Sequence, residues 1–283
     1  MISFGSMIGD FAPSRAARLW ITVAGCALFL LVPTLVLPWV ANSAAAYDVR
    51  VSQALLSPTS EHWFGTDALG RSQWDRTLLG TALSFRTVGG SLAVAFPLSL
   101  VLGGIAGLTV GRWPDRLIGW IIALLHTTPF FLLVVALAAV LGSGTAALPW
   151  IIGGVVWAAP ARIVRAEVHR ISQAPFVRAE QALGCDAPTV FTRSLLPFGV
   201  APASVSLLYL FPEIIGIDAV LSIFGLGAQP PTPSLGGLIF DGIRRWDAAP
   251  WLAGLPTVAL IAYCFALHFL ADRLSAQVTL TPR

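Results

Sequence analysis

The sequence contains no lysine. All 17 basic residues are arginine, which we read as an effect of codon composition. It still has a chemical consequence, because a phosphate-binding loop ending in Gly-Lys-Ser/Thr cannot be built here. Charge of either sign is scarce: 11% of residues are charged, against roughly 25% in an ordinary soluble domain. The net charge of +3 is small and forms no basic stripe outside the arginine-bearing loops, so nothing supports nucleic-acid binding. Cys26, Cys185 and Cys264 lie far apart and give neither zinc spacing nor a disulfide framework. His62, His126, His169 and His268 fall in four different segments. There is no HExxH pair and no GxSxG elbow, so an enzyme would need a site assembled from distant residues.

What the chain has in excess is apolar sequence, 56% of its 283 residues, arranged in runs long enough for a membrane protein. The first run is Leu19 to Val40, with Arg15 and Arg18 just before it. The Asn42-to-Tyr47 stretch after it resembles a signal-peptidase site, but the run exceeds the 7–15 residues usual for a signal core, and we expect an uncleaved anchor. Ala41 to Arg86 reads as a loop too polar to span. Leu83 to Val110 is the second span, with Gly103, Gly107 and Gly111 four residues apart on one helix face where another backbone could approach.

A short basic loop, Gly111 to Arg116, precedes a third span, Leu117 to Leu141, interrupted by His126-Thr127-Thr128-Pro129. A fourth, Pro149 to Ala161, is short and runs into a polar island, Arg162 to Pro197, carrying Arg162, Arg165, Arg170, Arg178 and Arg193. Leu195 to Leu221 and Trp251 to Leu270 complete six expected spans, separated by a Gly/Pro-rich loop with one short interfacial helix. Arginines near span ends number 11 on one side and 6 on the other, so the positive-inside rule places the amino terminus and the island in the cytoplasm.

Ionisable residues inside spans are functional candidates. His126 is one, with a neutral histidine bonded to a nearby carbonyl as the plain alternative. Glu213 and Asp218, in a span that also holds Pro202 and Pro212, are the others. Asp218 also reads as a solvated residue near the helix end, and Glu213 sits deeper. Within the island, Phe176 to Gly184 reads as a short amphipathic helix ending in glycine, with Phe176, Val177, Ala179, Ala182 and Leu183 offering a small apolar face. Such a helix fits the groove of a partner or packs on its own bundle.

Phe176-Val177-Arg178-Ala179-Glu180-Gln181-Ala182-Leu183-Gly184, nine further residues, then Ser194-Leu195-Leu196-Pro197 resembles the EAA loop of binding-protein-dependent ABC importer permeases. The pattern of that loop is EAA, three residues, Gly, nine residues, I-x-L-P. More narrowly, the chain resembles the C-type permease of the dipeptide/oligopeptide and nickel importer family. That likeness rests on His62-Trp63-Phe64-Gly65-Thr66-Asp67 with Gly70-Arg71, Trp113 with Asp115, Leu221 to Gly227, Gln229 to Ser234, and Ala249-Pro250-Trp251, in order from about Pro58 to Asp272.

The resemblance implies an all-α integral membrane protein with six transmembrane helices in the type I importer permease (MetI-like) architecture, seated in a bacterial inner membrane. It implies residues 1–82 as arm, first span and external loop, 83–272 as a five-helix core with the cytoplasmic loop 162–197, and 273–283 as a tail. The implied partners are a second homologous permease, two cytoplasmic ATPases that bind ATP and Mg, and an external substrate-binding protein. This chain would hold no cofactor and perform no hydrolysis. Its ATPase contact would use Phe176, Arg178, Ala179, Glu180, Ala182, Leu183, Gly184 and Pro197, and the pathway would be lined by His126, Glu213 and Asp218. The expected cargo is di- or oligopeptides, with nickel or a metal chelate as the alternative and an ATP-independent channel or secondary transporter as the reading of another class.

The chain departs from the family pattern in several places. Arg178 holds the first EAA position and Glu180 the third, so the acid has moved, and Ser194 stands for the isoleucine. Asp218 stands for a glutamate, Leu235 for a tryptophan, His268 for an asparagine, and Ala123 for the acidic residue usual in the third span. These changes suggest that Arg178 is co-adapted with the ATPase surface.

Overall fold

A computed structural model describes residues 34–142 and 144–279. Among these the regular structure is helical, and the one β contact is an isolated bridge between Thr66 and Ser72. The expected first span lies mostly outside the described residues; its final part, 34–40, is helical. Three helices are long and apolar enough to cross a membrane, and a bent pair makes up to four.

After α1 (Ser43–Tyr47) the chain folds a loop around Asp67. Its carboxylate accepts from the Leu69 and Arg71 amides at 2.9 Å each and pairs with Arg71 at 2.7 Å and Arg76 at 3.3 Å. Gly65 and Gly70 both have φ above +70°, which explains why this stretch needs glycine at those two turns. Phe64 stacks on Trp74 with ring centroids 5.3 Å apart.

The second expected span begins ten residues early. The helix α2 runs Gln73–Leu108, 36 residues and about 54 Å long at 1.5 Å per residue. Ser72 caps it, and Asp75 lies in its first turn, where a carboxylate opposes the helix dipole. Hydropathy marks 73–86 as loop, but its polar groups find partners inside the fold. Gln73 donates to the Leu252 carbonyl at 2.7 Å, Asp75 accepts from the Asn42 amide at 2.8 Å, and Arg76 donates to the Ala46 carbonyl at 3.3 Å. The Thr77 and Thr81 hydroxyls donate to carbonyls four residues back, each at 2.8 Å.

The third expected span is two helices, α3 (Trp113–Thr127) and α4 (Phe130–Leu141), meeting at 99°. Pro129 has no N–H to donate and pushes Thr128 out of the helical region, to ψ 131°. The Leu124 carbonyl accepts the Thr128 amide at 3.2 Å and, at the helix end, the Thr127 and Thr128 hydroxyls as well. Beyond Gly142 come α5 (Leu148–Val156) and α6 (Ala158–Ser172), separated at Trp157, whose dihedrals remain helical. Pro160 cannot donate to the Val156 carbonyl, which accounts for the break. The island therefore begins as a continuation of a packed helix.

Four more helices follow: α7 (Pro175–Ala182), α8 (Ala187–Val190), α9 (Leu196–Ile223) and α10 (Leu235–Ile243). Last comes α11 (Trp251–Thr279). A π-helical turn, Phe191–Leu195, leads into α9. The expected interfacial helix is α10, and it is tucked into the bundle: a Cβ on Gly236 would collide with Ala219, and one on Gly242 with Ala253. Ser234 caps α10 and bonds Ser222 of α9 at 3.1 Å. Phe85, Phe211 and Tyr263, from α2, α9 and α11, form edge-on pairs at 5.0 and 4.9 Å in the centre of the core.

The glycine face is real for two of its three members. A Cβ on Gly103 would stand 2.5 Å from the Ala161 carbonyl, and one on Gly107 2.7 Å from the Arg165 carbonyl, so α2 and α6 touch backbone to backbone. Gly111 lies beyond the helix, at φ +82° in open space, and serves the turn instead. Gly103→Val should cost about 1–3 kcal/mol through overpacking, read as a lower thermal midpoint of the detergent-extracted protein. Gly89→Val, where a Cβ meets nothing within 4 Å, should leave the midpoint unchanged.

Candidate functional site

The polar island folds as three linked pieces: the second half of α6, the short α7, and the π turn into α9. Pro175 opens α7 at the position where a missing N–H costs nothing. Its far end closes on Gly184 at φ +91°, and the Cys185 amide donates back to the Glu180 carbonyl at 3.1 Å, the 6→1 bond of a Schellman motif. A helix of eight residues is marginal by itself, so packing must hold it. Val177, fully buried, joins Val164, Val168 and Ile171 of α6 with Val190, Leu195 and Ala203 in a separate apolar cluster.

That packing divides the helix into two faces. Phe176, Arg178, Ala179, Ala182 and Leu183 are exposed, Leu183 at 86%. Val177 therefore leaves the apolar face expected from the sequence and points inward, and Glu180, one turn on, is half-buried on the same side. The Ser194 hydroxyl donates to the Glu180 carboxylate at 2.7 Å, while Arg178 donates to the Gln173 side chain at 2.9 Å. Phe176 faces the Phe198 ring at 6.4 Å. Pro197 is the second residue of α9, and its side chain lies outside the described set.

Behind the island, Asp115 at the start of α3 takes two hydrogen bonds from Arg165 of α6, at 2.5 and 2.9 Å. Asp115 also accepts from the Gly111 amide at 2.9 Å. This clamp joins the two helices just where the glycine contact ends, and sequence reasoning missed it because 50 residues separate the partners.

The candidate pathway residues separate into two groups. His126 and Glu213 line one cavity of about 320 Å3, with Thr127, Thr128 and Pro129 from the α3/α4 bend. His126 also borders a second, of about 530 Å3, with Arg162, Glu167 and Pro202. Asp218 lies in neither. It is 4% exposed and accepts from the Ser84 hydroxyl at 3.0 Å, joining α9 to α2. Among the described residues no group of three or more His, Cys, Asp or Glu is placed to hold a metal.

Comparison with known proteins identifies relatives. The profile of a family described as "Binding-protein-dependent transport system inner membrane component" matches residues 99–279, from the last third of α2 to the end of α11. The glutathione transport system permease protein GsiD of Pectobacterium atrosepticum is 32% identical over 244 residues, covering 84% of this chain and 77% of that protein. Its namesakes in Shigella dysenteriae and Escherichia coli O157:H7 are each 32% identical over 266 residues, 92% of this chain and 86% of theirs.

The Asp115–Arg165 clamp makes a prediction independent of those relatives. Arg165→Leu should strand a carboxylate whose side chain is 8% exposed; the arginine side chain is 38% exposed. Because water screens the pair, a loss of only about 1 kcal/mol is expected in thermal unfolding. Adding Asp115→Asn, which keeps an acceptor for the Gly111 amide, should recover part of it. A double variant no better than the single would contradict the clamp.

Proposed function

This chain belongs to the family of binding-protein-dependent transport system inner membrane components, and we propose that it forms half of the translocation pathway of an ATP-driven importer for di- and oligopeptides. On this reading six spans cross a bacterial inner membrane with the amino terminus in the cytoplasm. A second, homologous permease supplies the other half of the path, and an external binding protein delivers the cargo. Two cytoplasmic ATPases bind ATP and Mg and carry out all the hydrolysis. The relatives are permeases of glutathione transport systems, which supports a peptide cargo.

The observation that carries the proposal is α7. Its inner face is packed and its outer face, Phe176, Ala179, Ala182 and Leu183, is bare, the arrangement of a helix that completes itself in another protein's groove. It stands between the bend-side helix α6 and the long helix α9, so a push on it reaches both. His126 and Glu213, sharing one cavity beside the α3/α4 bend, are the residues we assign to the pathway, and Arg178, exposed at the rim of α7, to a charge on the ATPase.

Two measurements test this. Leu183→Glu should reduce copurification of the ATPases at least about tenfold, since a charge would enter an apolar groove, while the amount of permease in the membrane stays at the wild-type level. Undiminished copurification would contradict the docking face. The native binding protein, analysed by mass spectrometry as isolated, should carry a short peptide or a peptide-like thiol; a bound metal chelate in its place would overturn the cargo assignment.

A further inference from the structure

Two of the positions where the island departs from the pattern of its family are the two ends of one hydrogen bond. Glu180 occupies a position where the pattern has alanine, Ser194 one where it has isoleucine, and the Ser194 hydroxyl donates to the Glu180 carboxylate at 2.7 Å. Both departures are polar, and each supplies what the other needs, a donor and an acceptor. We propose that Glu180 is a positioning residue that fixes α7 to α9 through Ser194, so that movement of the docked helix is carried into the pore helix, and that it makes no contact with the ATPase. This rests on the reading of the chain as an importer permease.

The geometry supports that division of labour. Glu180 lies one turn from the buried Val177 and shares its inward face, away from the exposed Phe176, Ala179 and Leu183. Ser194 is 8% exposed and belongs to the π turn that ends at Leu195, directly before Leu196, the first residue of α9. A π turn adds one residue to the helical repeat and re-aims the side chains it carries. Here it delivers a hydroxyl across 14 residues of chain.

The contacts of Val177 with the cluster around Leu195, and of Phe176 with Phe198, hold the two helices together. Apolar contact, however, is non-directional and allows one helix to slide on the other. A hydrogen bond to a carboxylate is short and directional, and it sets the register. Arg178 takes no part, since its partner, Gln173, lies on the α6 side.

The test uses the complete importer, both permeases with the ATPases, in proteoliposomes, and reads ATP hydrolysis with and without the cognate binding protein as isolated from its host. Ser194→Ala should keep basal hydrolysis and ATPase copurification but lower the stimulation by binding protein at least about fivefold, the scale expected for losing a charged hydrogen bond. Glu180→Gln and Ser194→Thr, which preserve an acceptor and a donor, should retain most of the stimulation. Glu180→Ala with Ser194→Ile, which restores an apolar pair, should recover it.

The proposal is overturned if Ser194→Ala is stimulated like wild type, or if the apolar pair is no better than Ser194→Ala. It is also overturned if Ser194→Ala loses the ATPases altogether, because the pair would then shape the docking face. Failure of the wild-type chain to hold any ATPase would instead overturn the importer reading.

Discussion

Backbone contact between α2 and α6 is the constraint on which the cytoplasmic half of the molecule depends as proposed. Helices in a bilayer gain little from hydrophobic association, because lipid is as apolar as they are, and they associate through close packing. Gly103 and Gly107 supply it by letting the Ala161 and Arg165 carbonyls approach to distances no side chain would allow. The consequence is directional. With α6 pinned along α2 and its middle clamped by Asp115 to α3, the direction in which α6 carries the chain toward α7 is set. A helix too short to persist alone is thus presented on a rigid stalk.

The apolar helices were legible because hydropathy is a local property. α11 starts at the expected Trp251, and α9 starts one residue from the expected Leu195. Hydropathy failed at the start of α2, where Gln73, Asp75 and Arg76 are buried by partners from Leu252, Asn42 and Ala46. Periodicity cannot anticipate a polar surface satisfied from remote sequence. The interruption at Thr127-Thr128-Pro129 was visible, but the 99° turn was not, since proline predicts a break and the neighbours set its angle.

The island shows the same limit on a smaller scale. The glycine stop at Gly184 could be read directly, because left-handed backbone has few other occupants. Which part of an eight-residue helix faces inward could not: Val177 belongs to one apolar face with Phe176, Ala179, Ala182 and Leu183 in the sequence, yet it alone of these is buried. Glu180 and Ser194 were each visible as departures from a pattern. That they answer one another required the chain reversal between them, built from the Gly184 turn, α8 and the π bulge. The reading of Asp218 as a solvated residue near the helix end fails, because the bundle encloses it with Ser84.

On this account α7 and the start of α9 move as one body, with an apolar cluster supplying adhesion and the Glu180–Ser194 bond supplying register. The pore helix is then an extension of the docked helix, and the α3/α4 bend, with its cavity beside Glu213, lies where that movement is spent. The most direct measurement is a pulsed electron–electron distance between spin labels at the native Cys185 and at Gly216 in the assembled importer, with Cys26 and Cys264 replaced. Cys185 is exposed and bonded to the end of α7 through the Glu180 carbonyl, and Gly216 on α9 has open space around it. The account predicts the same distance in the nucleotide-free and ATP-bound states; a distance that changes on ATP binding would show a soft joint and contradict it.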